Sequence, residues 1–199
     1  VSTNRMEAFS DAVIAIAITV MVLELPTPHD TTWHALREAW PVLLSYVLSF
    51  VILGIYWNNH HHMLQATARV TGPILWANLH LLFWLSLVPF TTAWMGENAF
   101  APVPTAAYGI VLLAAAVAYY VLQSMIVRDQ GAGSVVAAAV GRDLKGKLSP
   151  VLYVIGIGLS FLSSRAAVAV FAAVAIIWLI PDRRIERGLA AGRAGERGE

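Results

Sequence analysis

The chain contains no cysteine. Disulfides, thiol nucleophiles and thiolate metal sites are therefore excluded. It is also short of charge: 13% of its 199 residues are Asp, Glu, Lys or Arg, against about 25% in a soluble domain. No His-Glu-x-x-His pair, Walker loop, nucleophile elbow or carboxylate cluster occurs. Metal-assisted hydrolysis, nucleotide hydrolysis and serine-type acyl transfer thus lack their usual residues. A Thr-Val-Gly-Tyr-Gly run is missing too, which excludes a selectivity filter lined by its carbonyls. The sequence reads as a non-enzyme, with no cofactor, no metal and no nucleic-acid partner.

What the chain does have is apolar length. It is 58% hydrophobic, with a mean hydropathy of +0.68. Stretches of about 17–25 apolar residues span a bilayer. Six are expected, at Glu7–Leu25, Glu38–Met63, Gly72–Met95, Thr105–Val127, Ser149–Ser163 and Ala166–Ile180. The last two form a tight hairpin through Ser163-Ser164-Arg165. Pro89 is the only proline in the middle of these spans. The first segment lacks the basic n-region of a signal peptide and is read as retained.

Charge sets the orientation. With six spans, 11 of the 13 Lys and Arg residues fall on one side, and only Arg37 and Arg165 on the other. Excess Lys and Arg mark the cytoplasmic side, so both termini are expected there. The expected architecture is an all-α membrane protein, a six-helix transmembrane bundle over residues 1–181 with a basic, partly disordered tail over 182–199. Trp33 and Trp40 sit at headgroup level. In the linker from Gly131 to Lys147, the small apolar run Ser134 to Val140 suits the membrane surface.

The first segment carries the most information. Arg5-Met6-Glu7-Ala8-Phe9-Ser10-Asp11 runs directly into apolar sequence, and an ionised group near the bilayer centre costs at least about 2.5–3.5 kcal/mol. At 100° per residue, Phe9, Ala12, Ile16, Val20 and Leu23 form one stripe with Thr19 at its edge. Ser10 and Asp11 point elsewhere. The plain reading is an aliphatic face packed on neighbouring helices. The sharper one is a pore wall, with Ile16, Val20 and Leu23 as a hydrophobic constriction that gates by dewetting.

Asp11 needs a partner. Arg5 is nearest in sequence but lies nearer the stripe. Two polar clusters occur later: Tyr56-Trp57-Asn58-Asn59-His60-His61-His62, and Asn78 with His80. If the first three helices pack together, Arg5, Ser10, Asp11, Trp57, His60 and Asn78 share one level and one hydrogen-bonded network. The three histidines are not read as a chelate, because adjacent helical residues diverge by 100°.

At these residues the chain resembles the transmembrane protein 175 family of cation channels. The resemblance rests on Arg5-x-x-x-Phe9-Ser10-Asp11, on Ala15-Ile16-Ala17-Ile18-Thr19, and on Trp57-x-x-His60, Asn78 and Pro89 in order. It implies potassium permeation through a pore lined by the first helix. One six-span repeat resembles the bacterial homotetramers in a cytoplasmic membrane, with K+ and other monovalent cations as permeant partners. The family's constriction maps onto Ile16, Val20 and Leu23, its ion-preference threonine onto Thr19, and its intrasubunit polar network onto Arg5, Phe9, Ser10, Asp11, Trp57, His60 and Asn78. Val20 departs from the larger aliphatics common in the family. Potassium selectivity is expected to be modest, since apolar rings offer no ligands in place of hydration. Glu24 is a candidate for an electronegative entrance. Three rivals stand beside this reading: a proton-coupled transporter using Asp11 and the His60–His62 cluster, a membrane metalloprotein or enzyme using those histidines, and a noncatalytic scaffold.

Overall fold

The computed structural model describes residues 2–131 and 144–179. Among them there is no strand. Eight helices follow one another: α1 (Thr3–Leu23), α2 (Trp33–Glu38), α3 (Trp40–Gln65), α4 (Gly72–Ser86), α5 (Val88–Glu97), α6 (Pro102–Gln130), α7 (Leu144–Ser160) and α8 (Ser164–Leu179). The linker run Ser134 to Val140 and the tail over 182–199 lie outside the described residues.

Proline marks where these helices begin. Pro41, Pro73, Pro89 and Pro102 each stand in the first turn of a helix. Proline is tolerated there because its missing N–H would have no intrahelical acceptor. Thr32 caps α2 by accepting from the Ala35 amide at 3.4 Å. The segment expected to run unbroken from Gly72 to Met95 is interrupted at Leu87. Pro89 offers no N–H to the Leu85 carbonyl, and its ring crowds that oxygen, so the helix breaks and restarts. A second proline, Pro150, lies inside α7. The sequence reading missed it because the fifth segment was started at Ser149, five residues too late.

Among the described residues, four helical stretches are long and apolar enough to cross a membrane: Thr3–Leu23, Trp40–Gln65, Gly72–Glu97 taken across the break, and Pro102–Gln130. The first, at 21 residues, measures about 31 Å at 1.5 Å per residue, close to the ~30 Å hydrocarbon thickness. The described stretches of α7 and α8, at 17 and 16 residues, measure about 25 Å.

α1 packs against α3, α4 and α5, while α6 packs against α4, α5 and α7. α3 and the α4–α5 pair run antiparallel, bringing Gly96 against Ser45 and Val42. Between α5 and α6 the chain turns through Ala99 and Phe100, both left-handed at φ 47° and 61°. That conformation is uncommon without glycine. Burial of the Phe100 ring against Trp40, centroids 5.7 Å apart, offsets it.

The second half closes around Phe171, which is fully buried between Tyr108 of α6 and Tyr153 of α7. Gly109 and Gly156 make room for it. A Cβ on Gly109 would stand 2.6 Å from the Phe171 Cζ, and one on Gly156 would run into the same ring.

Candidate functional site

α1 presents two unlike faces. Met6, Ser10, Ile14, Ala17 and Met21 are buried. Phe9, Ala12, Ile16, Thr19 and Leu23 are exposed, Ile16 at 62% and Leu23 at 77%. Val20, grouped with the stripe on the wheel, is half-buried at its margin. None of the described residues covers the exposed face.

The buried face is tied down by side chains. Ser10 Oγ donates to the Met6 carbonyl one turn back, at 2.8 Å. Its only proton is then used, so it accepts from Asn78 Nδ2 at 2.9 Å. That fixes the amide of Asn78 with its oxygen toward His60 Nε2, 2.7 Å away. His60 Nε2 must therefore donate, which selects the Nε2–H tautomer. Ser10, Asn78 and His60 are all at most 1% exposed. The chain Met6–Ser10–Asn78–His60 thus joins α1, α4 and α3 through their interior. His60 Nδ1 is buried with no hydrogen-bond partner among the described residues.

A second layer lies outside the first. Asp11 Oδ1 accepts from Trp57 Nε1 at 3.1 Å, which answers the question of the Asp11 partner. The Trp57 ring stacks on His61, with centroids 6.0 Å apart and planes 21° apart. His61 Nδ1 stands 2.6 Å from the Glu7 carboxylate, and its Nε2 lies 2.9 Å from the Gln65 amide. The Arg5 side chain is exposed and makes no hydrogen bond or ion pair with a described residue, while its amide donates to the Ser2 carbonyl at 3.1 Å. Phe9 is likewise turned outward. Of the seven residues grouped in sequence, Ser10, Asn78 and His60 form one chain, and Asp11 and Trp57 a separate pair.

Sequence reasoning missed Glu7, His61 and Gln65. The signal was present as spacing. Glu7 and Asp11 are four apart on α1, and Trp57, His61 and Gln65 repeat every four on α3, so two polar stripes face each other. The three adjacent histidines diverge as helix geometry requires. His60 meets Asn78, His61 meets Glu7, and His62 Nδ1 is buried with no hydrogen-bond partner among the described residues. Among the described residues no group of three or more His, Cys, Asp or Glu side chains converges on one point.

Another polar cluster, also unread in sequence, lies toward the opposite end of α3. Ser49 Oγ is 2.7 Å from Thr92 Oγ1 and 2.9 Å from the Tyr108 hydroxyl. Because Thr92 also donates to the Val88 carbonyl at 2.7 Å, Ser49 supplies the proton between them and the Tyr108 hydroxyl donates to Ser49. An exposed ion pair, Arg69 with Asp129 at 2.8 Å, clips the α3–α4 loop to the end of α6. The neighbouring carboxylate pushes the Arg69 pKa up.

Together these features define a class: a multi-helix membrane protein whose first helix is anchored through a buried polar chain and leaves an apolar face free. The family model described as "Endosomal/lysosomal potassium channel TMEM175" matches residues 5–89, the stretch that contains both polar layers. A potassium channel of Chryseobacterium sp. (strain P1-3) is 50% identical, over 94% of this chain and 97% of its own. A potassium channel of Streptomyces collinus is 32% identical, over 88% of this chain and 91% of its own. The crystal structure of a lysosomal potassium-selective channel TMEM175 homologue from Chamaesiphon minutus superposes with a TM-score of 0.79 at 31% identity, covering 89% of this chain and 96% of that one. The chain belongs to the TMEM175 family.

Proposed function

We propose that the chain forms a potassium-permeable channel in a bacterial cytoplasmic membrane, as a homotetramer whose pore is lined by α1. The observation that carries this is the two-faced first helix. Its inner face is fixed by Ser10, Asn78 and His60, and its outer face bears Ile16 and Leu23, uncovered by any described residue. The potassium-channel names of the bacterial relatives support the ion. In this reading each protomer makes six passes with both termini in the cytoplasm, as the bias in Lys and Arg favours.

Ile16, Val20 and Leu23 form the constriction, and narrow apolar rings close by dewetting. Thr19 lies beside them. Its hydroxyl donates to the Ala15 carbonyl at 2.8 Å, so its oxygen lone pairs are left to face a passing ion, an arrangement that favours cations. Because apolar rings replace no hydration shell, selectivity for potassium is modest.

The test is flux in reconstituted liposomes, with the wild type beside Ile16→Asn. A hydrophilic ring wets the constriction, so the variant should raise basal potassium flux severalfold. Equal flux from a well-folded variant removes Ile16 from the gate. Silence from both, with the tetramer intact, removes the channel reading.

A further inference from the structure

Asn58 on α3 and His80 on α4 are exposed polar side chains, and they stand at one depth. The polar anchor fixes that depth, because His60, Asn78 and Ser10 share a level through their bonds. α3 runs against α1, since Glu7 and Asp11 meet His61 and Trp57 in reverse order, and α4 runs against α3. Asn58 is two residues further than His60 from the Arg5 end, and His80 two residues further than Asn78. Both therefore stand about 3 Å beyond the anchor. Ser10 itself lies about 10 Å from the start of α1 at Thr3. The two side chains thus lie about 13 Å inside a hydrocarbon layer of about 30 Å.

Neither has what it needs there. Trp84 Nε1 donates to His80 Nε2 at 3.0 Å. An indole N–H only donates, so His80 Nε2 accepts and the ring proton sits on Nδ1. That N–H and the Asn58 side-chain amide make no hydrogen bond with a described residue. Lipid chains offer neither donor nor acceptor, and a polar group at that depth ordinarily faces protein. The surroundings match in shape. One turn further from the Arg5 end, Gly54 of α3 leaves open space where a Cβ would stand, and Phe83 of α4 projects an exposed ring. Two turns beyond those, Val47 and Phe90 are exposed as well. Spacings of three, four and seven keep each series on one face of its helix.

Both faces are exposed, so they do not meet within one protomer. α1 turns Asp11 to α3 and Ser10 to α4, which puts the two faces on either flank of its own free face. Rotation about an axis normal to the membrane leaves every depth unchanged. It sets the α3 face of one copy against the α4 face of the next, and such a head-to-tail contact closes into a ring. We propose that neighbouring copies of this chain join here. His80 Nδ1 of one copy donates to the Asn58 side-chain oxygen of the next, and Phe83 of the first seats over Gly54 of the second. The contact rests on the homotetramer reading and assigns the residues that hold the ring together.

The test is disulfide trapping, to which a chain without cysteine is suited. Gly54→Cys and Phe83→Cys combined in one chain, oxidised mildly in the membrane, should give a covalent ladder that ends at the tetramer. Either single variant should give none. Association is then read in mild detergent by native mass. His80→Leu and Asn58→Leu should each weaken it about tenfold, and the double variant should weaken it no further, because no unpaired group is left behind. A native tetramer with no disulfide ladder, or with both leucine variants at wild-type association, would overturn this contact and leave the homotetramer reading standing. A monomer throughout would overturn both. A disulfide to a different polypeptide would give these faces another occupant, and a ladder that stops at two would break the ring; either result overturns the proposal.

Discussion

The start of α1 and the surroundings of Phe171 are held by different physics. At the first, three helices are joined by directional bonds, Ser10 to Asn78 to His60, each between 2.7 and 2.9 Å. At the second, three helices meet on shape alone, a ring seated over Gly109 and Gly156. Tyr108 connects the two styles. Its ring faces Phe171 at 5.8 Å while its hydroxyl bonds Ser49 at 2.9 Å. Directional bonds fix the rotation of a helix about its own axis, which a helix needs if one face is to line a path. Close packing on glycine fixes only how near the helices come. The polar anchor therefore suits the helix with the exposed apolar face, which the proposed function places along the ion path, and the glycine joint suits the frame.

That contrast can be broken at several points. The largest effect is expected from Gly156→Leu, whose side chain has no room beside Phe171. Overpacking costs about 1–3 kcal/mol and occasionally more, so thermal unfolding should fall sharply and folded yield with it. Asn78→Leu comes next. It removes two interhelical bonds, each about 1 kcal/mol in a membrane, and leaves Ser10 and His60 buried without the amide that joins them. Stability should fall by about 2 kcal/mol, and single-channel current should change as well, because α1 is free to rotate.

Ser49→Ala sharpens the comparison from the other side. It costs about 1–2 kcal/mol through the orphaned Tyr108 hydroxyl, but unitary current in the folded protein should match wild type. A changed current would extend the functional anchor to the far end of α3. The smallest effect is expected at the exposed Arg69–Asp129 pair. Arg69→Gln should shift the melting temperature little, because exposed ion pairs are worth about 0–1 kcal/mol and are screened by salt.

The two regions were not equally legible in sequence. Ser10, Asp11, His60 and Asn78 stood out because polar groups in an apolar span need a reason to be there. Their depth at the same end of the bundle followed from counting spans. How they paired did not, since Arg5 has length enough to reach either way and only the fold turned it outward. Ser49, Thr92 and Tyr108 escaped notice because hydroxyls in helices ordinarily bond back to their own carbonyls, as Ser45 and Thr105 do here. Gly109 and Gly156 were silent because a glycine in a span does not announce which ring it admits. The half-buried Val20 shows the limit of a helical wheel, which ranks angles but not the neighbour that covers the edge of a stripe.

The central claim is that α1 turns Ile16 and Leu23 toward the ion path while Ile14 and Met21 face the protein. A chain without cysteine makes the direct test clean, because each introduced thiol is the only one. Ile16→Cys, Leu23→Cys, Ile14→Cys and Met21→Cys would be reconstituted singly and exposed to a small methanethiosulfonate reagent during potassium current recording. The account predicts rapid block of the Ile16→Cys and Leu23→Cys channels and none of the other two. Block at Ile14→Cys or Met21→Cys, with Ile16→Cys conducting unmodified, would contradict it.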